Sequence, residues 1–165
     1  MLRAVILLGL GCILGGCGYT TKELFPEQYQ TVASTIFDNR TFYRQVEFGL
    51  AEAVKKQIEA RTPYKIVNPV HADTIIQGTI TDIDQGLISR VNPGAIPEQV
   101  EITIKADFEW KDLRTGKVIM NRRGFSATGW YAPTTPVSEP YTLAQHQLVE
   151  QLAQGIVSSM RSEDW

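Results

Sequence analysis

From Gln99 to Lys111 the chain alternates without a break. Val100, Ile102, Ile104, Ala106, Phe108 and Trp110 take every second position, and Glu101, Thr103, Lys105, Asp107, Glu109 and Lys111 fill the places between. Successive side chains of a strand point to opposite faces. The run therefore predicts a long strand with one dry face and one wet face, as in an antiparallel sheet covered on one side. A turn over Asp112–Gly116 then leads into a further strand from Lys117 to about Trp130.

The remaining elements follow from period and punctuation. Tyr29–Ile36 reads as a first strand, followed by the turn-and-cap cluster Asp38-Asn39-Arg40-Thr41, in which Asp38 or Asn39 would cap a helix. In that helix Phe42, Val46, Leu50, Val54 and Ile58 make one apolar row, ended by Arg61-Thr62-Pro63. Tyr64–Val67 is a short extended piece broken by Pro69, and Asp73–Ile83 a strand with Gly78 in its middle. Leu87–Glu98, with Pro93, Gly94 and Pro97, is a long connection, and Pro133–Pro140 an irregular link. A closing helix begins near Tyr141 or Thr142 and runs to about Met160, with Leu148, Leu152 and Ile156 as its central row. The order is strand, helix, three strands, helix. The expected fold is α+β: a four-stranded, mostly antiparallel sheet with two helices packed on one face.

The N-terminus carries a second strong pattern. Arg3 precedes a nearly continuous apolar run from Ala4 to Leu14, and Leu14-Gly15-Gly16-Cys17 closes it. The run is too short for a membrane-spanning helix, which needs about 20 residues, and has the layout of a signal peptide. The tetrad looks like a bacterial lipobox, with an ordinary secretory signal, or an apolar N-terminus that is simply retained, as the alternatives. On the lipobox reading residues 1–16 are removed and Cys17 becomes the acylated first residue; residues 17–28 form a tether, and 29–165 one α+β domain. In lipoproteins of this pattern the cysteine bears a diacylglyceryl thioether, and Gly18 in place of Asp implies sorting to the outer membrane. Cleavage removes one Arg and no acid, moving the net charge from −2 to −3. Nucleic-acid binders usually show a basic excess, so none is expected as a partner. Cys12 leaves with the signal and Cys17 is lipidated, so neither of the two cysteines remains for a disulfide, a metal or catalysis.

Taken together, the Cys17-Gly18-Tyr19 start, the Ile36–Thr41 block with its following amphipathic helix, Ala72-Asp73 at a strand entry, Gly78 and the closing helix resemble the lipopolysaccharide-assembly lipoprotein family, the LptE family. The resemblance implies an outer-membrane lipoprotein, lipid-anchored on the periplasmic side or inside a barrel lumen. Members partner a β-barrel translocon as lumen plug and assembly factor, in the transport of lipopolysaccharide to the outer leaflet. The alternative is a free, periplasm-facing lipoprotein that carries lipid in an apolar cavity.

Candidate chemistry is sparse. His71 and His146 lie far apart and show no zinc-ligand spacing, and no cofactor is expected. Asp82 and Asp84 would share one strand face, and no serine sits in a nucleophile elbow. An enzyme is not expected. Lipopolysaccharide bears phosphates, for which arginine offers a two-pronged donor. Arg90, Arg114, Lys117, Arg122 and Arg123 are candidate glycolipid contacts, against the alternative of ordinary surface charge. Arg40 and Trp130 are candidate contacts to a partner barrel, and Phe125 is expected in the core.

Overall fold

The computed structural model describes residues 25–89, 99–132 and 139–161, without side-chain detail for 87–89, 139 and 140. The alternating run becomes β5, Gln99–Asp112, and lies between β4 (Thr74–Ser89) and β6 (Val118–Tyr131) in an antiparallel meander. Every apolar residue of β5 from Val100 to Trp110 is buried. Two helices cover that face: α1, Val46–Arg61, and α2, Glu139–Ser158. Helix α2 packs on β5 and β6 through Ala144, Leu148, Leu152 and Ile156, and α1 lies beside it toward the other edge of the sheet. A polar link joins the helices where Glu150 accepts from Gln57 Nε2 at 3.1 Å and from Lys56 Nζ at 3.5 Å.

The sheet is larger than four strands and mixed. Three short strands, β1 (Thr31–Ser34), β2 (Asp38–Asn39) and β3 (Lys65–Ile66), bring it to six, in the order β3-β1-β4-β5-β6, with β2 also on β4. All pairings of these three are parallel. The reason is the crossover: α1 carries the chain back along the sheet, so β3 and then β4 start from the same end as β1. Elements of two to four residues carry too little pattern to reveal their partners.

Strands β1 and β2 are one line along β4, broken at Thr35–Phe37. Ser34 pairs with Ile76 and Asp38 with Thr79, so the upper strand holds one residue more than its partner. The break turns the buried Phe37 inward onto Gly78. A Cβ on Gly78 would stand 2.6 Å from that ring and 2.5 Å from the carbonyl oxygen of Asp107, so only glycine fits.

Three local expectations are corrected. Phe42 is not on the helix row: α1 begins at Val46, after Gln45 at φ 73°, and Phe42 is 99% exposed. Neither Asp38 nor Asn39 caps α1. Asn39 instead ties the approach to it, accepting from Thr41 N at 2.8 Å and donating to Tyr43 O at 2.6 Å and Glu47 Oε2 at 2.7 Å. Strand β4 also continues to Ser89, into the expected connection, of which 90–98 lie outside the described residues, as do 133–138 of the second link. Phe125 does meet the core, stacked edge-on against Phe108 with centroids 5.6 Å apart.

The Gly78 contact sets a test. Gly78→Ala should cost about 1–3 kcal/mol, as overpacking does, read as a fall in the denaturation midpoint. An unchanged midpoint would mean that Phe37 and the Asp107 peptide can both move aside.

Candidate functional site

The wet face of the sheet is held together by its own polar side chains. Lys105 Nζ lies 3.0 Å from Asp82 Oδ2, Gln77 Nε2 donates to Glu109 Oε1 at 2.6 Å, and Thr103 and Thr128 hydroxyls meet at 2.9 Å. About half of each side chain in the Lys105–Asp82 pair is exposed, so the pair contributes little stability. Between Ala106↔Phe125 and Phe108↔Arg122 the single residue Asp107 faces two, Arg123 and Gly124. This is a β-bulge with glycine in the left-handed conformation, φ 63°. Asp107 Oδ1 fixes it by accepting from Gly124 N at 2.7 Å.

The bulge decides where the neighbouring arginines go. Arg122 stands opposite Phe108, on the helix-covered side of the sheet. Arg123 lines an open groove of about 540 Å³ on the wet side, with Asp38, Asp107, Glu109 and Asn121 around it. Both arginines are exposed on an edge strand, so they flank one edge from two faces rather than forming one flat patch. Arg114 and Lys117 lie in the β5–β6 turn, and even Lys117 is six residues, or about 20 Å of strand, from Arg123. Arg90 lies outside the described residues. The four described basic candidates are therefore not gathered into one site.

The proposed barrel contacts are both on the surface. Trp130 stands opposite Glu101 on the wet face and is 66% exposed. Arg40 is exposed beyond β2, its backbone N–H bonded to Ile80 O at 3.1 Å. Near Trp130, at the end of the sheet where β6 finishes, Tyr141 packs between Tyr43 and Tyr131 at 6.3 and 5.9 Å, and Gln85 Nε2 donates to the Tyr43 hydroxyl.

At the opposite end, where the chain enters, two carboxylates organise the backbone. Asp73 Oδ2 accepts from Gln30 N and Thr31 N at 3.0 Å and from Thr31 Oγ1 at 2.9 Å. These donors, led by the Gln30 N–H, and the charge of Arg114 hold the Asp73 carboxyl below the usual range against a weaker effect of burial. Asp112 closes the β5–β6 turn by accepting from Arg114 N at 2.8 Å and Thr115 N at 3.2 Å. Burial raises its pKa, but the Thr115 and Arg114 N–H groups, the Thr115 hydroxyl and the Arg114 charge outweigh that and leave it lowered. Sequence reading placed Asp73 only at a strand entry, because its partners are 42 and 43 residues away.

An aromatic clamp completes this end. Phe25 meets Tyr64 edge-on at 5.8 Å, and the Tyr64 hydroxyl donates to Pro26 O at 3.2 Å. Tyr29 and Tyr64 both pack on Trp110, at 5.8 and 5.9 Å. Burial, with the neighbouring Tyr29 second, pushes the Tyr64 phenol well above its ordinary value, so it stays a neutral donor. Among the described residues no three His, Cys, Asp or Glu side chains converge as a metal cage, and no helix is long and apolar enough to cross a membrane.

Residues 29–160 match the family model described as LptE: Lipopolysaccharide-assembly. The chain belongs to this family. No curated protein matches it. Among solved structures it is similar to a minor lipoprotein of Acinetobacter baumannii, at 17% identity, with 80% of this chain and 90% of that one covered and a TM-score of 0.56. It is similar also to protein XCC0632 of Xanthomonas campestris, at 11% identity over 79% and 82% of the two chains with a TM-score of 0.56. The PelC dodecamer of Paraburkholderia phytofirmans matches at 14% identity over 84% and 93%, with a TM-score of 0.53. Such low identities establish a shared fold and nothing finer. The LptE-family match is what ties this fold to lipopolysaccharide assembly.

The two entry-end carboxylates make stability depend on acid. An unfolded Asp titrates near 3.9, and both folded values lie lower. Their contribution is complete above the unfolded value and is lost as pH falls through the folded one. Asp73→Asn should lower stability by about 1–2 kcal/mol at neutral pH and flatten the acid limb of a stability–pH curve. A variant matching the parent at neutral pH would show that the charge of Asp73 carries no weight, since the Asn carbonyl can still accept from Gln30 and Thr31.

Proposed function

We propose that the protein is an outer-membrane lipoprotein, acylated at Cys17, that sits in the lumen of a β-barrel translocon. There it acts as plug and assembly factor while lipopolysaccharide moves to the outer leaflet. The role is non-enzymatic. The observation that carries this reading is the LptE-family match over 29–160. The wet sheet face supports it physically, since a water-filled barrel lumen is polar and suits a partner with a polar outer surface and a dry core of its own. Exposed Trp130 and Arg40 are the proposed barrel contacts, being side chains favoured at interface anchors. Arg122 and Arg123 are the proposed glycolipid contacts: two forked donors flanking one strand edge can reach phosphate oxygens from both sides.

The test is an affinity pull-down of the full-length lipoprotein from detergent-solubilised outer membranes. A stoichiometric large β-barrel protein is expected with it, and Trp130→Ala should reduce that recovery. Recovery of the lipoprotein alone, under conditions that preserve barrel complexes, would favour the free lipid-carrier reading. Arg122→Ala with Arg123→Ala should weaken lipopolysaccharide binding about tenfold or more, the scale of losing one charged hydrogen bond. Unchanged affinity would remove these residues from the glycolipid site.

A further inference from the structure

Strands β1, β3, β4 and β6 begin at the end of the domain where the chain enters, β5 ends there, and so do both helices. This convergence gathers basic side chains that are far apart in sequence. Arg61 ends α1, Lys65 opens β3, Arg114 and Lys117 sit in the β5–β6 turn, and Arg161 follows α2. All five are exposed, and among the described residues none joins an ion pair. Against them, among the described residues at this end, stand four carboxylates: Glu27 and Glu59 on the surface, and Asp73 and Asp112, which stay ionised while accepting from backbone N–H groups. In a chain of net charge −2 the described residues of this end thus keep a slight basic excess, with the five cations exposed and the carboxylates of Asp73 and Asp112 turned to the backbone.

Apolar side chains stand among these cations. Val70 is 84% exposed, Val118 44% and Leu113 38%. Leu113 N–H donates to Asp73 O at 2.9 Å, two residues after the short helix Pro69–His71 that carries Val70. Exposed aliphatic groups at the same end as exposed Lys and Arg match the chemistry of an anionic membrane interface, where the former enter the headgroup layer and the latter meet phosphates.

The tether supplies the geometric argument. The clamp of Tyr64, Trp110 and Tyr29 fixes Phe25 and Pro26 at this same end. Phe25 lies eight residue steps beyond Cys17, and even fully extended these span at most about 28 Å. Strand β5 has 14 residues, so the far end of the sheet is about 46 Å further on. A chain anchored at Cys17 keeps the basic end, and not the tyrosine-rich end, within reach of the bilayer.

We propose that the tether-bearing end of the domain, with Arg61, Lys65, Arg114, Lys117 and Arg161 around Val70, Leu113 and Val118, docks on the anionic phospholipid surface to which the chain is anchored. The proposal rests on the reading of Cys17 as the acylated residue. It assigns Arg114 and Lys117 to the membrane and leaves the strand-edge arginines to the glycolipid.

Two readouts separate the anchor from the docking. Full-length acylated protein would be reconstituted with vesicles of equal parts phosphatidylglycerol and phosphatidylcholine, or of phosphatidylcholine alone. Flotation reads the anchor. Docking is read by a dye on Leu113→Cys, or on Val70→Cys as a second site, quenched by spin-labelled lipid, with Ala132→Cys at the far end as reference. Strong quenching at 113 and 70 in anionic vesicles is expected, with little at 132. Each cation near the surface is worth about fivefold, so Arg114→Glu with Lys117→Glu should shift the docking equilibrium on the order of 25-fold or more, while flotation persists. Flotation without quenching at 113 and 70, or with quenching indifferent to lipid charge, overturns the docking and leaves the anchor intact. Failure to float overturns the Cys17 anchor and the docking with it.

Discussion

The two faces of β5 differ completely in what they require. Ile102, Ile104, Ala106, Phe108 and Trp110 must lie under something dry, and Thr103, Lys105, Asp107 and Glu109 must meet water or other polar groups. Burying an unpaired polar group is costly, so a second helical layer on the outer face is excluded. Both helices therefore share one side and meet each other as well as the sheet. The small residues follow from that crowding: a Cβ on Gly155 would stand 2.6 Å from the Phe125 ring, and one on Gly129 3.0 Å from Leu148.

Within this plan, two irregularities do more for the surface than the regular ladder does. The break between β1 and β2 drops Phe37 into the space above Gly78 and leaves Ile36 and Asp38 at the lip of the wet-face groove. The bulge at Arg123–Gly124 separates the side chains of two consecutive arginines. Asp107 connects the irregularities, since its carbonyl abuts Gly78 and its carboxylate holds Gly124 N. A regular strand here would put Arg123 in a different register. The groove and the strand edge are in that sense set by one residue of β5.

How much of this could be read in advance depended on the range of the forces involved. The alternation of β5 and the rows Val46–Leu50–Val54–Ile58 and Leu148–Leu152–Ile156 are local patterns, and β5, β6 and both helices stand within a few residues of expectation. Strands β1, β2 and β3 exist because of partners dozens of residues away, and nothing in two to four residues encodes parallel pairing. Phe42 has the right spacing for the helix row but precedes its first turn, because Asn39 bonds to Tyr43 O and Glu47 and turns the chain before α1 begins. The basic candidates were legible as residue types but not as a cluster. Arg114 and Lys117 are near Arg122 and Arg123 in sequence, yet a strand separates its residues by about 3.3 Å each, and the bulge then divides the pair.

The two ends of the domain are chemically unlike, and the topology enforces this. Tyr29, Tyr64 and Trp110 lock the entering chain against the end where most strands begin, so a pull on the tether is transmitted directly to the core rather than to a loop. The far end instead presents Tyr43, Tyr131, Tyr141 and the exposed Trp130. Such a polarised body has a defined direction relative to any surface that holds its N-terminus, because a tether shorter than the domain is long limits which residues can reach that surface. Within a barrel the same polarity would fix which end faces the periplasm. Orientation, on this view, is decided by where the aromatic clamp grips the chain.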